Sequence, residues 1–122
     1  MIVDDHVNLR KLLHEWLSDE IPECSIVEMR TAREALMHCY SESPNIVIMD
    51  IDMPGMNGID VTTELKAIVP DAKVVILTIH ENGMYKEAAM KAGATAFINK
   101  RKLYDDLVPT LFQIFGTAGG AA

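Results

Sequence analysis

The chain has 122 residues, which is long enough to bury one core and too short for two, so one domain is expected. Hydrophobic residues make up 49% and charged residues 24%, a composition that excludes an intrinsically disordered protein. The formal net charge of −7 argues against direct binding of nucleic acid, whose phosphates require Lys and Arg. There is no signal-peptide pattern and no apolar run that could span a bilayer, so a cytoplasmic protein without membrane contact is predicted.

Five short runs rich in Val or Ile predict five β-strands. Two of the runs, 46–49 and 74–77, are apolar without alternation, which is typical of strands that are buried on both faces of a parallel sheet. Helices are therefore expected on both sides of the sheet. In chain order, the predicted strands are 1–3, 25–29, 45–49, 73–77 and 94–98.

The segments between the runs have helical periodicity, with apolar residues at 9, 12, 13, 16 and 17 and again at 32, 35, 36, 39 and 40. Thr31 and Glu34 form a capping-box pattern at the start of the second helix, while Pro70 and Gly93 mark the ends of the third and fourth. This alternation predicts an α/β, flavodoxin-like (βα)5 three-layer sandwich with strand order 2-1-3-4-5. Residues 1–115 would form the domain, and residues 116–122 would form a linker-like or disordered tail.

Polar side chains follow the predicted strands at their carboxyl ends, where open parallel sheets bind ligands. Each residue alone has a plainer explanation as a helix cap, a turn residue or a surface lysine. Three converging carboxylates, however, repel one another unless a cation is present, and oxygen ligands favour Mg²⁺, with Mn²⁺ as the alternative. The residues concerned are Asp4, Asp5, Asp50, Thr78 and Lys100.

Four segments resemble the motifs of bacterial response regulator receiver domains of the CheY-like superfamily. They are Met1-Ile-Val-Asp-Asp-His6, the run from Ile46 to Gly58, Leu77-Thr78 and the run from Gly93 to Lys100. The resemblance implies that Asp50 accepts a phosphoryl group from a phosphohistidine on a sensor histidine kinase. It also implies that the chain is a phosphoacceptor signalling domain and not an enzyme, with self-phosphorylation and slow self-dephosphorylation only.

By the same resemblance, the carboxylates of Asp4, Asp5 and Asp50 and the backbone carbonyl of Asp52 would hold the metal. Thr78 and Lys100 would contact the phosphoryl group. Thr78 and Phe97 would be the switch residues, although Phe97 alone would be taken as core. Asp52 and His80 are candidates for tuning the dephosphorylation rate, and the surface of helix 4, strand 5 and helix 5 would carry the signal.

Further partners are less defined by the sequence. The Asp50 loop resembles that of NarL/FixJ/LuxR-type transcriptional regulators, which implies a C-terminal DNA-binding output domain outside this chain. The wide apolar stripe of the last helix allows a homodimer or a contact with a neighbouring domain. Arg101 and Ile79 depart from the family pattern, which leaves the switching geometry open. A phosphorylation-independent interaction module on the same fold remains the alternative function.

Overall fold

The computed structural model describes residues 1–53, 57–80 and 83–118, with side chains as far as residue 116. Strands and helices alternate along this part of the chain, and a short 3-10 helix at Lys100–Lys102 precedes the last α-helix. The strands are β1 (Ile2–Val3), β2 (Glu28–Met29), β3 (Ile46–Asp50), β4 (Lys73–Thr78) and β5 (Ala96–Asn99). The helices are α1 (Val7–Glu20), α2 (Ala32–Cys39), α3 (Gly58–Ile68), α4 (Gly83–Lys91) and α5 (Leu103–Ala118).

The described strands form one parallel sheet in the order β2-β1-β3-β4-β5, which confirms the predicted topology. The strand order changes direction between β1 and β3. From β1 the chain continues to β2 on one side, whereas from β3 it continues to β4 on the other side. A cleft at the carboxyl ends of the strands is expected at such a point. The register sets Val3 beside Met49 and Asp50 beside Leu77, so the residues that follow β1, β3 and β4 lie next to one another.

Two apolar layers cover the sheet, because alternate residues of each central strand point to opposite faces. Met49 and Ile76 belong to the cluster formed with α2 and α3, whereas Ile48 and Leu77 belong to the cluster formed with α1 and α5. Leu107 of α5 is completely buried in the second cluster. This arrangement is the predicted three-layer sandwich, and it explains why the apolar runs in β3 and β4 show no alternation.

The helix ends follow local chemistry that the sequence indicates. Thr31 caps α2, since its hydroxyl accepts a hydrogen bond from the Glu34 backbone N–H at 3.1 Å. Gly93 has φ +107° just after α4, a conformation in which a side chain would be strained. Asn57 caps α3 by accepting a hydrogen bond from the Ile59 N–H.

Several details differ from the sequence predictions. The second strand is shorter than 25–29, because its only neighbour among the described strands is β1, which pairs with it at two positions. Leu12 is 43% exposed although it lies in the predicted apolar stripe of α1, and Tyr40 is 73% exposed just beyond α2. α5 extends through Ala118, into the predicted tail, and residues 119–122 lie outside the described part.

Among the described residues, no helix is long and apolar enough to cross a membrane.

Candidate functional site

Three carboxylates meet where β1 and β3 end. These strands are neighbours, so Asp4 and Asp5, which follow β1, lie beside Asp50 at the end of β3. Asp4 and Asp50 are each 1% exposed, whereas the Asp5 side chain is 30% exposed. The convergence expected from the strand order is therefore present, in a pocket that shields two of the three carboxylates from water.

One oxygen of each carboxylate is buried and has no hydrogen-bond partner within the described residues: Asp4 Oδ2, Asp5 Oδ1 and Asp50 Oδ2. A buried carboxylate oxygen without a hydrogen bond is costly, because folding removes its hydrating water and supplies no hydrogen bond in return. A hard divalent cation takes oxygen ligands of this kind. The three carboxylates thus fit Mg²⁺ or Mn²⁺.

His6 lies at the edge of this cluster, although its residue type and spacing predicted no role for it. One ligand atom from each of Asp4, Asp5, His6 and Asp50 can be chosen so that all lie within 4.8 Å. The imidazole Nδ1 is 3.0 Å from Asp4 Oδ1 and 3.2 Å from Asp5 Oδ1. The hydrogen bond with Asp4 and the nearby carboxylate charges raise the pKa of His6, because they favour the positively charged form of the ring. The signal available in the sequence was its position directly after two aspartates.

The two oxygens of Asp50 have different surroundings. Oδ1 lies 2.9 Å from the Lys100 ammonium and accepts a hydrogen bond of 2.8 Å from the Asp52 backbone N–H. Burial raises the pKa of Asp50, the Asp52 and Lys100 hydrogen bonds oppose that rise, and the Asp4 charge adds to it. The carboxylate is therefore held in one orientation, with Oδ1 fixed and Oδ2 directed toward the acidic cluster.

The Asp52 side chain contacts the opposite wall of the cleft. Its Oδ2 accepts a hydrogen bond of 3.0 Å from the Ile79 backbone N–H, and its Oδ1 accepts one of 3.3 Å from the Thr78 hydroxyl. His80 Nε2 is 3.3 Å from Oδ1, and the Lys100 ammonium is 3.6 Å from Oδ2. The sequence assigned Asp52 a backbone metal contact and a rate-tuning role, which both remain predictions, but it did not indicate these side-chain contacts.

Thr78 ends β4 and is completely buried. Its hydroxyl donates to Asp52 and accepts a hydrogen bond of 3.0 Å from the His80 backbone N–H, so both of its hydrogen-bonding roles are in use. The His80 ring stacks on Tyr85 of α4 with 5.2 Å between the centroids. Ile79, the bulky residue at a position that departs from the family pattern, is 54% exposed and does not fill the cleft.

Phe97 lies on β5 opposite Ile76 of β4 and is partly buried against the cluster formed with α2 and α3. It is therefore one strand away from Thr78, on the side of the sheet that also contacts α4. Its role as a switch stays a prediction, since a partly buried aromatic side chain in this position also serves packing.

A second group of charged residues braces the acidic cleft from the side of β2. Arg10 donates from Nη1 to the Asp4 backbone carbonyl and from Nε to Glu28 Oε1, both at 2.8 Å. His14 Nδ1 is 2.7 Å from Glu28 Oε2. Burial favours a higher pKa for Glu28, but the hydrogen bonds from His14 and Arg10 outweigh it and lower that pKa. The sequence did not reveal this brace, because it joins side chains of α1 to the following strand, β2, across a loop whose path the residue pattern does not define.

The fold and the cleft define a signalling domain with an acidic, lysine-containing site at the switch point of the sheet. Residues 1–111 match the family model described as the response regulator receiver domain. The chain belongs to this family and is a receiver domain of the two-component response regulators.

Its relatives include transcriptional regulators. The chain is 31% identical over 116 residues to response regulator GacA of Pseudomonas aeruginosa, covering 94% of this chain and 54% of that protein. It is 32% identical over 122 residues to transcriptional regulatory protein DegU of Brevibacillus brevis, covering 99% and 50%, respectively. The chain thus spans about half the length of these curated relatives.

Solved structures give the same family. A LuxR-family DNA-binding response regulator from Staphylococcus aureus superimposes with a TM-score of 0.82 at 27% identity, over 93% of this chain and 95% of that one. The chemotaxis protein CheY4 of Vibrio cholerae also superimposes with a TM-score of 0.82, over 93% and 94%, and at 23% identity it supports the fold alone.

Proposed function

We propose that Asp50 accepts a phosphoryl group from a phosphohistidine of a partner sensor histidine kinase in a Mg²⁺-dependent reaction, for which Mn²⁺ is an alternative. An oxygen of the Asp50 carboxylate forms the new O–P bond while the P–N bond of the phosphohistidine breaks, and the electron pair stays on the imidazole nitrogen. The observation that carries the proposal is the buried Asp50 carboxylate, with one oxygen fixed by Lys100 and the other without a hydrogen-bond partner beside two further aspartates.

The charged residues of the cleft have separate tasks in this reaction. The carboxylates of Asp4, Asp5 and Asp50 would hold the cation, and the Asp52 backbone carbonyl is a further proposed ligand. The bound cation supplies positive charge that offsets the repulsion between a carboxylate and the incoming phosphoryl oxygens. Lys100 would contribute a second positive charge, and its contact with Asp50 Oδ1 keeps it beside the carboxylate that accepts the phosphoryl group.

After transfer, Thr78 and Lys100 would contact the phosphoryl oxygens, and Phe97 would change position as Thr78 moves. The surface of α4, β5 and α5 then carries the signal to an output domain outside this chain, which controls transcription. The similarity to DegU and to the LuxR-family regulator supports a DNA-binding output. In this proposal the domain acts in the cytoplasm as a phosphoacceptor, without turnover of an external substrate beyond its own phosphorylation and slow dephosphorylation.

The test is the intact mass of the protein after incubation with acetyl phosphate and Mg²⁺, with and without EDTA. The wild type is expected to gain one phosphoryl group only when the metal is present, and Asp50→Ala is expected to gain none. Asp71→Ala is the matched control, because Asp71 is exposed and lies in the turn before β4, at the other end of that strand. An unmodified wild type beside a reactive receiver domain would instead support the phosphorylation-independent interaction module.

A homodimer through α5 stays a hypothesis. The helix buries most of its apolar stripe against the sheet, but Phe112 is 51% exposed and Tyr104 is 63% exposed. Sedimentation velocity before and after phosphorylation tests the hypothesis directly. A dimer that Phe112→Ser abolishes would support the α5 contact, and a monomer under both conditions would refute it.

A further inference from the structure

The Asp52 side chain makes hydrogen bonds and ion pairs with several residues of the cleft. The proposed transfer reaction uses only the backbone of this residue. Its carboxylate receives the Ile79 N–H at 3.0 Å and the Thr78 hydroxyl at 3.3 Å. The Lys100 ammonium lies 3.6 Å away, and His80 Nε2 lies 3.3 Å away. An anionic group is thus surrounded by donors from the segments that follow β4 and β5.

Two of these donors are the groups assigned to the phosphoryl oxygens. We propose that the Asp52 carboxylate is an internal latch, which before transfer contacts the phosphoryl-binding groups Thr78 and Lys100 together with the Ile79 N–H, and which leaves all three when Asp50 is phosphorylated. The inference rests on the proposed function and adds a regulatory step to it. A carboxylate and a phosphoryl group are both anionic oxygen acceptors, so they compete for the same hydrogen bonds.

The latch joins parts of the fold that are distant in sequence. Asp52 lies in the loop after β3, Thr78 and Ile79 lie at and after the end of β4, and Lys100 follows β5. The Asp52 carboxylate also contacts His80, and the His80 ring stacks on Tyr85 of α4. This chain of contacts connects Asp52 to α4. Release of Asp52 would therefore loosen the connection between the cleft and α4, which belongs to the proposed signalling surface.

The backbone of Asp52 has a different task from its side chain. The Asp52 N–H donates to Asp50 Oδ1 at 2.8 Å, and this bond does not depend on the side chain. Substitutions of Asp52 can therefore remove the latch while the orientation of Asp50 is kept. Asp52→Asn removes the charge at nearly constant shape, and Asp52→Ala removes every side-chain contact.

The experiment measures binding of beryllofluoride, an analogue of the phosphoryl group, in the presence of Mg²⁺ by isothermal titration calorimetry. We expect Asp52→Ala to bind about tenfold more tightly than the wild type, which corresponds to ~1.4 kcal/mol, with Asp52→Asn between them. Asp71→Asn removes the same charge outside the cleft, and its affinity is expected to equal that of the wild type. Melting curves for all four proteins verify that each one is folded.

A second measurement separates a latch from a general effect of charge. In the unliganded protein, the Ile79 amide is expected to exchange its proton faster in Asp52→Ala than in the wild type, because it has lost its acceptor. Equal exchange in the two proteins would overturn the latch, and so would equal affinity for beryllofluoride. A wild type that neither binds beryllofluoride nor accepts a phosphoryl group would overturn the proposed function as well, so the two failures are distinguishable.

Discussion

We expect the Asp50 carboxylate to destabilise the metal-free protein, so that Asp50→Asn should raise its stability. Asp50 Oδ2 is buried without a hydrogen-bond partner in the described structure, and the nearby charge of Asp4 makes ionisation of Asp50 less favourable. Asparagine has nearly the same shape, and its carbonyl oxygen can still accept the hydrogen bond of the Asp52 N–H. The substitution removes a buried charge that Lys100 balances at Oδ1 and that His6 Nδ1, 3.7 Å from Oδ2, approaches without a hydrogen bond.

Two opposing effects of the substitution set the magnitude. Leaving a charged oxygen buried without a hydrogen bond costs about 3 kcal/mol, whereas weakening the charged hydrogen bond with Lys100 offsets about 2 kcal/mol of the relief. The net stabilisation is therefore about 1 kcal/mol. With an unfolding entropy of about 2.1 cal/mol/K per residue, a chain of this length should melt about 4 °C higher.

The pH dependence gives a second criterion with a definite sign. Burial raises the pKa of Asp50 above its ordinary value of 3.8, so the folded state binds this proton more tightly than the unfolded state does. Its contribution to stability is fully present below pH 3.8 and is lost as the pH rises through the raised pKa. The advantage of Asp50→Asn should therefore be largest near neutral pH and should shrink on acidification.

Urea denaturation in EDTA, followed by circular dichroism from acid to neutral pH, measures both quantities. Addition of Mg²⁺ should stabilise the wild type more than the variant, because a ligand that binds the folded state stabilises it by mass action. The matched control is Asp71→Asn, which alters an exposed carboxylate and should leave the stability nearly unchanged. A variant that is equally or less stable than the wild type in EDTA at neutral pH would refute the reasoning.

Three further substitutions test other parts of the structure. Gly58→Ala should destabilise the protein by about 1–3 kcal/mol in urea denaturation, because the added Cβ would lie 2.7 Å from the backbone Cα of Ile51. Thr31→Ala removes the cap of α2 and should cost about 1 kcal/mol in the same assay. Arg10→Met removes the donor to the Asp4 carbonyl and should weaken Mg²⁺ binding by about tenfold, measured by calorimetry; unchanged affinity would refute the bracing role.

The strand order and the residues that lie together at the site could both be predicted. Both predictions depend on recognising where each strand ends. Val- and Ile-rich runs located β3 and β4, and parallel neighbours place their carboxyl ends at the same edge of the sheet. Asp4, Asp50 and Lys100 each follow or close such a run, so their proximity follows from strand order alone. The length of β2 could not be predicted. An edge strand ends where its neighbour stops pairing with it, and the residues of β2 do not indicate where β1 stops.

The contacts that escaped prediction are those made by side chains pointing across the cleft. Whether His6 turns toward Asp4 or toward solvent depends on the first turn of α1, where His6 is the N-cap residue without a side-chain cap bond. Asp52 likewise could have faced water, and only the position of the Ile79 N–H after β4 gives its carboxylate a partner. Residue type and spacing determine which groups lie in the cleft. They do not determine which acceptor binds which donor, because several acceptors compete for a few hydrogen-bond donors. In the proposed latch, the same competition makes the Asp52 contact sensitive to a phosphoryl group on Asp50, because that group would bind the same donors without any change in the fold.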